Sequence, residues 1–198
     1  MHEAQLNTKL LAPLGITNAF SLAELATYAG FNPGTPLPER LKTYCPPGKK
    51  LLVLHPKSQG SAREWPLEQF MSLAHQVNEN EYTVVFTGTE KEGLLFRNLI
   101  PSKPNVHDLT GQMTLPELIS FIAASDFLVA ASTGPLHLAG LTNIQAIGLF
   151  SLQRPIHAGR WKPLGNKVII LEEKNLSPST QPLSIPLRDV MRALEQGV

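Results

Sequence analysis

Three short segments concentrate residues that could handle a phosphorylated ligand. The first, residues 55–66 (HPKSQGSAREWP), joins Ser58, Gly60 and Ser61 to the cations Lys57 and Arg63. Exposed amides, hydroxyls and positive charge ahead of a helix suit a phosphate group. The same residues also make an ordinary strand–helix loop with a solvated lysine and arginine, and they match no standard phosphate motif. The second, residues 131–137 (ASTGPLH), offers Ser132 or Thr133 as a helix cap. Gly134 there lets a ligand approach the backbone, and Pro135 sits in the first turn, where its missing N–H costs nothing. The helix dipole then faces an anion, with His137 one turn further in. The alternative is a well-capped helix carrying a core histidine. The third, residues 86–92 (FTGTEKE), turns at Gly88 and offers Glu90 or Glu92 to ribose hydroxyls. Both acids also fit a helix N-terminus, where they favour the dipole.

These segments need elements that hold them together. Apolar runs predict strands at residues 51–54, 83–87, 106–109, 127–131, 145–150 and 167–171. Between them, helical spacing covers 66–80, 90–100, 115–124 and 133–141, and a last helix runs from about 187 to 195. Alternation of strand and helix with short loops predicts an α/β fold, a Rossmann-like parallel sheet with helices on both faces. Such sheets bind ligands at the carboxyl ends of their strands, near the switch in strand order. All three segments are predicted to leave strands at that edge.

Residues 1–46 read differently. Leu6, Leu10, Leu11 and Leu14 have helical spacing, and Gly15 stops that helix. Ser21 and Glu24 form a capping box for a second short helix, and a proline-rich strip follows. The expected organisation is a lead-in over 1–46 that packs on something else, a nucleotide-binding domain over 47–182 and a C-terminal helical segment over 183–198.

Composition narrows the classes. The 198 residues are 42% hydrophobic and 17% charged, with a formal net charge of +1, which fits a globular domain. Near-neutral charge gives no reason to expect nucleic acid as a partner. Cys45 is the lone cysteine, which rules out a disulfide within the chain and fits a reducing compartment. No apolar run approaches the roughly 20 residues that span a bilayer. The opening residues lack the basic and apolar stretches of a signal peptide. A cytoplasmic location follows as the expectation, with at most peripheral contact at the inner face of the inner membrane. The chain has no Walker-type loop, no Gly-x-Gly-x-x-Gly and no Gly-x-Ser-x-Gly elbow. Its aspartates are Asp108, Asp126 and Asp189, so an Asp-x-Asp metal signature is impossible, and its histidines lack metal-ligand spacing. Neither a metal site nor a cofactor is expected; side chains and helix dipoles would neutralise a diphosphate.

The ordered set of segments resembles the glycosyltransferases of family 9, which include the ADP-heptose:lipopolysaccharide heptosyltransferases. The residues that carry the resemblance are His55-Pro with Ser58, residues 63–66 (REWP), 86–88 with Glu92, 108–118 (DLTGQMTLPEL), 132–140 (STGPLHLAG) and 160–165 (RWKPLG). They cover about residues 50–172, and the stretch after His2 resembles the family's entry into its second domain. The resemblance implies the C-terminal, donor-binding half of a two-domain GT-B enzyme. It implies phosphate contacts from Lys57, Ser58 and Arg63, and diphosphate and sugar contacts from Ser132, Thr133, Gly134 and His137. It also places Glu92 at the ribose and Met113 against the adenine.

Three positions depart from the family's pattern. Arg63 stands where lysine is common, keeping the charge and adding a second donor. Ser132 stands where the heptosyltransferases carry an aspartate facing the sugar. Lys57 stands where a small residue is common. The family's catalytic base belongs to the N-terminal half, which nothing here matches. The expectation is therefore a donor-binding part that does not transfer sugar alone. It would bind an ADP-sugar and meet either a companion half or a second copy through 1–46 and the C-terminal helix. Two alternatives stay open: a remnant serving as a binding or oligomerisation module, and an unrelated nucleotide-binding α/β enzyme such as an epimerase.

Overall fold

A computed structural model describes residues 1–176 and 178–196. The last two positions of the expected 183–198 segment therefore lie outside the described residues. Six strands form one sheet: β1 (Lys50–His55), β2 (Tyr82–Phe86), β3 (Val106–Asp108), β4 (Phe127–Ala131), β5 (Gln145–Phe150) and β6 (Val168–Glu172). All neighbouring strands are parallel, and their order is β3-β2-β1-β4-β5-β6. Every residue of β2 and β4 is buried, and β1 is buried from Leu51 onward. A sheet covered on both faces needs continuous apolar strands in place of alternating ones.

Two apolar layers flank the sheet. One gathers Leu52, Leu54, Trp65, Phe70, Phe86, Phe96 and Phe127. It is roofed by α4 (Leu67–Gln76) and by α9 (Leu187–Gln196), whose Val190, Ala193 and Leu194 face inward. The other gathers Leu51, Val53, Val85, Phe121, Ile122, Leu128 and Leu136. It rests on α6 (Leu115–Ala123) and α7 (Gly134–Leu141). Between β2 and β3 runs α5 (Glu90–Phe96).

The predicted strands all form, and the helices expected over 66–80 and 90–100 are shorter than the spacing suggested. The helix expected over 66–80 stops at Gln76 because Val77 turns extended, with ψ 143°. Asn78 then makes a turn in which its side chain accepts from the Asn80 amide and donates to Glu81. Helix α5 tightens into a 3-10 turn over Arg97–Leu99, and Ile100, held extended before Pro101, ends it.

The N-terminal segment attaches by polar contacts. Helices α1 (Glu3–Thr8) and α2 (Leu22–Tyr28) bury none of their residues, and Leu10 and Leu14 are each 75% exposed. His2 anchors the segment, with its Nε2 2.8 Å from the Lys162 carbonyl. Glu3 pairs with Arg160 at 2.7 Å. Further along, α3 (Glu39–Lys42) inserts Leu41 fully into the second apolar layer. Among the described residues no helix is long and apolar enough to cross a membrane.

Candidate functional site

The strand order reverses between β1 and β4. Connections leave in opposite directions there, which opens a crevice at the carboxyl edge. His55 pairs in register with Ala130, so the loops after β1 and β4 emerge side by side. The structure thus brings the first two predicted segments together, and the third leaves β2 on the other side of β1.

After β1, the chain makes a tight turn in which Gln59 and Gly60 both adopt left-handed backbone, with φ 51° and 80°. The turn closes by the Ser61 amide donating to the Ser58 carbonyl at 3.0 Å. Its polar groups converge on one acid. The Ser58 amide donates to Glu64 Oε1 at 2.8 Å, and Lys57 pairs with Glu64 Oε2. The Ser58 hydroxyl lies 2.9 Å from both Glu64 Oε1 and the Ala62 carbonyl and can donate to either.

Arg63 lines the same cleft as Ser58, Gly60 and Ser61, but its guanidinium is engaged within the fold. Its side chain is 6% exposed and pairs at 2.6 Å with Glu173, whose side chain is fully buried. It also donates to the Ser151 hydroxyl at 2.8 Å and to the carbonyls of Gln181 and Pro182. The physical reason is a strap of chain that crosses the loop. The Leu183 amide donates to the Glu64 carbonyl, and the Trp65 indole donates to the Ile185 carbonyl, both at 2.8 Å. A cleft of about 620 Å³ lies between residues 58–68 and this strap.

The loop after β4 behaves differently. Thr133 caps α7 in extended backbone, but its side chain makes no capping hydrogen bond. The residue is 6% exposed, and its Oγ1 has no hydrogen-bond partner among the described residues. A buried hydroxyl without a partner costs on the order of 1–3 kcal/mol; Asn105 Oδ1 and Gln153 Oε1 are likewise buried without a partner among the described residues. A Cβ added at Gly134 would meet nothing within 4 Å. These residues line a cavity of about 410 Å³ with Ser61, Ser132, His137, Ile156 and Arg160. His137 is held below the usual histidine value by burial and, secondarily, by the nearby charge of His2. Arg160 comes from α8 (Ala158–Trp161), a one-turn helix the sequence pattern did not reveal. Its place in the quoted run 160–165 was the available signal.

The third segment forms a wall. Thr89 and Glu92 make a reciprocal cap, in which Glu92 Oε2 accepts from the Thr89 amide at 2.7 Å and from its hydroxyl at 2.9 Å. Glu92 nonetheless lines a cleft of about 720 Å³ with Lys57, Gly60, Glu64 and Leu95. Arg97 ties this wall to the loop after β3. It grips both oxygens of Glu90 at 2.9 Å, and it donates to Asp108 at 2.6 Å and to the Thr110 hydroxyl at 2.9 Å. Thr110 packs so tightly that a Cβ at Gly93 would fall 2.1 Å from its Oγ1. Burial pushes the Asp108 carboxyl up, but hydrogen bonds from Thr110 and Arg97 outweigh it and leave the group below its ordinary value. Met113 is half-buried against the second apolar layer and lines neither cleft. Among the described residues no three metal-ligating side chains stand together.

Comparison with known proteins shows the family and the fold. Residues 7–183 match the sequence profile of glycosyltransferase family 9 (heptosyltransferase). The chain is 26% identical over 167 residues to lipopolysaccharide heptosyltransferase 3 of Escherichia coli, covering 82% of this chain and 47% of that protein. A family 9 glycosyl transferase from Veillonella parvula shares the fold with a TM-score of 0.70 at 19% identity, over 96% of this chain and 57% of that one. The E. coli heptosyltransferase WaaC, solved with ADP, gives a TM-score of 0.63 at 17% identity, over 88% of this chain and 54% of that one. The chain spans about half the length of these relatives. Because the family profile matches residues 7–183, most of its length, the chain belongs to glycosyltransferase family 9.

Proposed function

We propose that the chain binds the nucleoside diphosphate of a nucleotide sugar, an ADP-sugar, in the crevice between the β1 and β4 loops. It would act as the donor-binding part of a glycosyltransferase in lipopolysaccharide core or related surface-glycan synthesis. The observation that carries this reading is the partnerless hydroxyl of Thr133, buried at the N-terminus of α7 in a residue that lines the 410 Å³ cavity. Backbone amides and the positive end of the helix dipole add to it. WaaC, of similar fold, was solved with ADP, which supports adenine as the base.

Glycosyl transfer needs a base on the acceptor hydroxyl and charge stabilisation of the leaving diphosphate. The residues in hand suit the second task. Thr133, Gly134, Ser132 and His137 would hold diphosphate and sugar, with Arg160 adding positive charge. Lys57 and Ser58 would reach the phosphates from the facing loop, and Glu92 and Met113 would serve the nucleoside. Arg63 would hold the strap through the Gln181 and Pro182 carbonyls. The base would belong to a companion half.

Isothermal titration calorimetry of the chain with ADP, UDP and GDP tests this. ADP is expected to bind, and more tightly than the other two; no heat with any of them at millimolar concentration overturns the reading. A second reading, a remnant domain that serves as an oligomerisation module, draws support from the exposed Leu10 and Leu14. A stable dimer by light scattering, with no nucleotide binding, would favour it.

A further inference from the structure

The groups assigned to a donor phosphate on the β1 side already hold an anion. Glu64 takes the Ser58 amide at 2.8 Å, lies within 2.9 Å of the Ser58 hydroxyl and pairs with Lys57. An amide has one hydrogen, so a phosphate oxygen can take it only after Glu64 lets go. Carboxylate and phosphate oxygens attract the same charge-assisted donors. We propose that Glu64 is an internal stand-in for the donor phosphate. Its carboxylate occupies the Lys57–Ser58 subsite in the unliganded chain and swings out when a diphosphate arrives. This inference rests on the donor-binding reading above.

Three features allow the exchange. The Glu64 side chain is 25% exposed, so burial does not lock it in place. Its backbone stays fixed, because its carbonyl accepts from the Leu183 amide at 2.8 Å and the neighbouring Trp65 is anchored to Ile185. Glu64 also borders both the 720 Å³ cleft and the 620 Å³ cleft, so open space receives the displaced side chain. Exchange keeps Lys57 and the Ser58 amide paired in both states, avoiding the cost of baring them. It also makes Glu64 a specificity residue, since only a ligand with its own phosphate charge competes with the carboxylate.

The test is calorimetry on the full chain and on Glu64→Ala and Glu64→Gln, each titrated with ADP and with adenosine. Glu64→Ala is expected to bind ADP about tenfold tighter, and Glu64→Gln by a smaller factor in the same direction. Adenosine, which lacks phosphate, is expected to bind all three chains alike. Unchanged or weaker ADP binding in both variants overturns the stand-in while leaving the donor site. Failure of every chain to take ADP or adenosine overturns the donor reading itself, and the stand-in with it. Glu64→Gln keeps an acceptor for the Ser58 amide, so it decides the matter if Glu64→Ala does not fold.

Discussion

The two loops that flank the crevice meet their polar groups in opposite ways. On the β1 side every expected phosphate ligand is already engaged: Lys57 and Ser58 by Glu64, and Arg63 by Glu173 and the strap. On the β4 side the Thr133 hydroxyl is left without a partner, beside a glycine with open space around it. A loop whose donors are satisfied from within holds its shape by itself; a loop with a buried orphan carries a polar group that its own fold leaves unsatisfied. The difference teaches that positive charge near a sheet edge does not by itself mark a site.

The largest effect that could break this comparison lies at Arg63. Replacing it with methionine leaves the fully buried Glu173 carboxylate without its cation, with the Ser151 hydroxyl still donating to it at 2.8 Å, and breaking such a pair costs about 3–5 kcal/mol. Denaturant unfolding should show that loss, and adding Glu173→Gln should recover part of it. A stability near wild type in Arg63→Met would mean that the guanidinium is free for ligand after all. A smaller effect is expected at Thr133. Thr133→Val removes an unsatisfied hydroxyl while keeping the branched shape. Stability should hold or rise by up to about 1 kcal/mol, while ADP affinity should fall by about tenfold. Lost stability with unchanged affinity would make Thr133 purely structural.

The smallest effect concerns pH. His55 sits at the end of β1 and His137 one turn into α7. Both are held below the usual histidine value, His55 by burial against the pull of Glu92 and Glu64, and His137 by burial and then His2. The unfolded rings take protons as pH falls through about 6.5, while the folded ones stay neutral. Their contribution to stability is therefore complete above that pH and is lost as pH falls further towards the folded values. The unfolding free energy should fall as pH drops below about 6.5. His137→Gln should flatten that profile, and an unchanged profile would show that the ring already sits in solvent.

Local features were legible because their causes are local. The strands announced themselves as uninterrupted apolar runs, and Ser21 with Glu24 capped a helix as their spacing predicted. The two loops on one edge followed from parallel topology. What the pattern hid was pairing across the chain. Arg63 meets Glu173 across 110 positions and Trp65 meets Ile185 across 120, and no spacing rule reaches that far. Glu64 was overlooked because it sits inside the run that carried the resemblance. An acid directly after a supposed phosphate-binding arginine was the signal that an internal anion was at hand. Helix α8, four residues long, is too short for periodicity to reveal.

The most direct test of the account is a crystal structure of the chain with ADP. The account predicts diphosphate density at the N-terminus of α7, within hydrogen-bond reach of the Thr133 hydroxyl and the amides that follow it. Density confined to the cleft between residues 58–68 and the strap, with the Thr133 hydroxyl still without a partner, would contradict it.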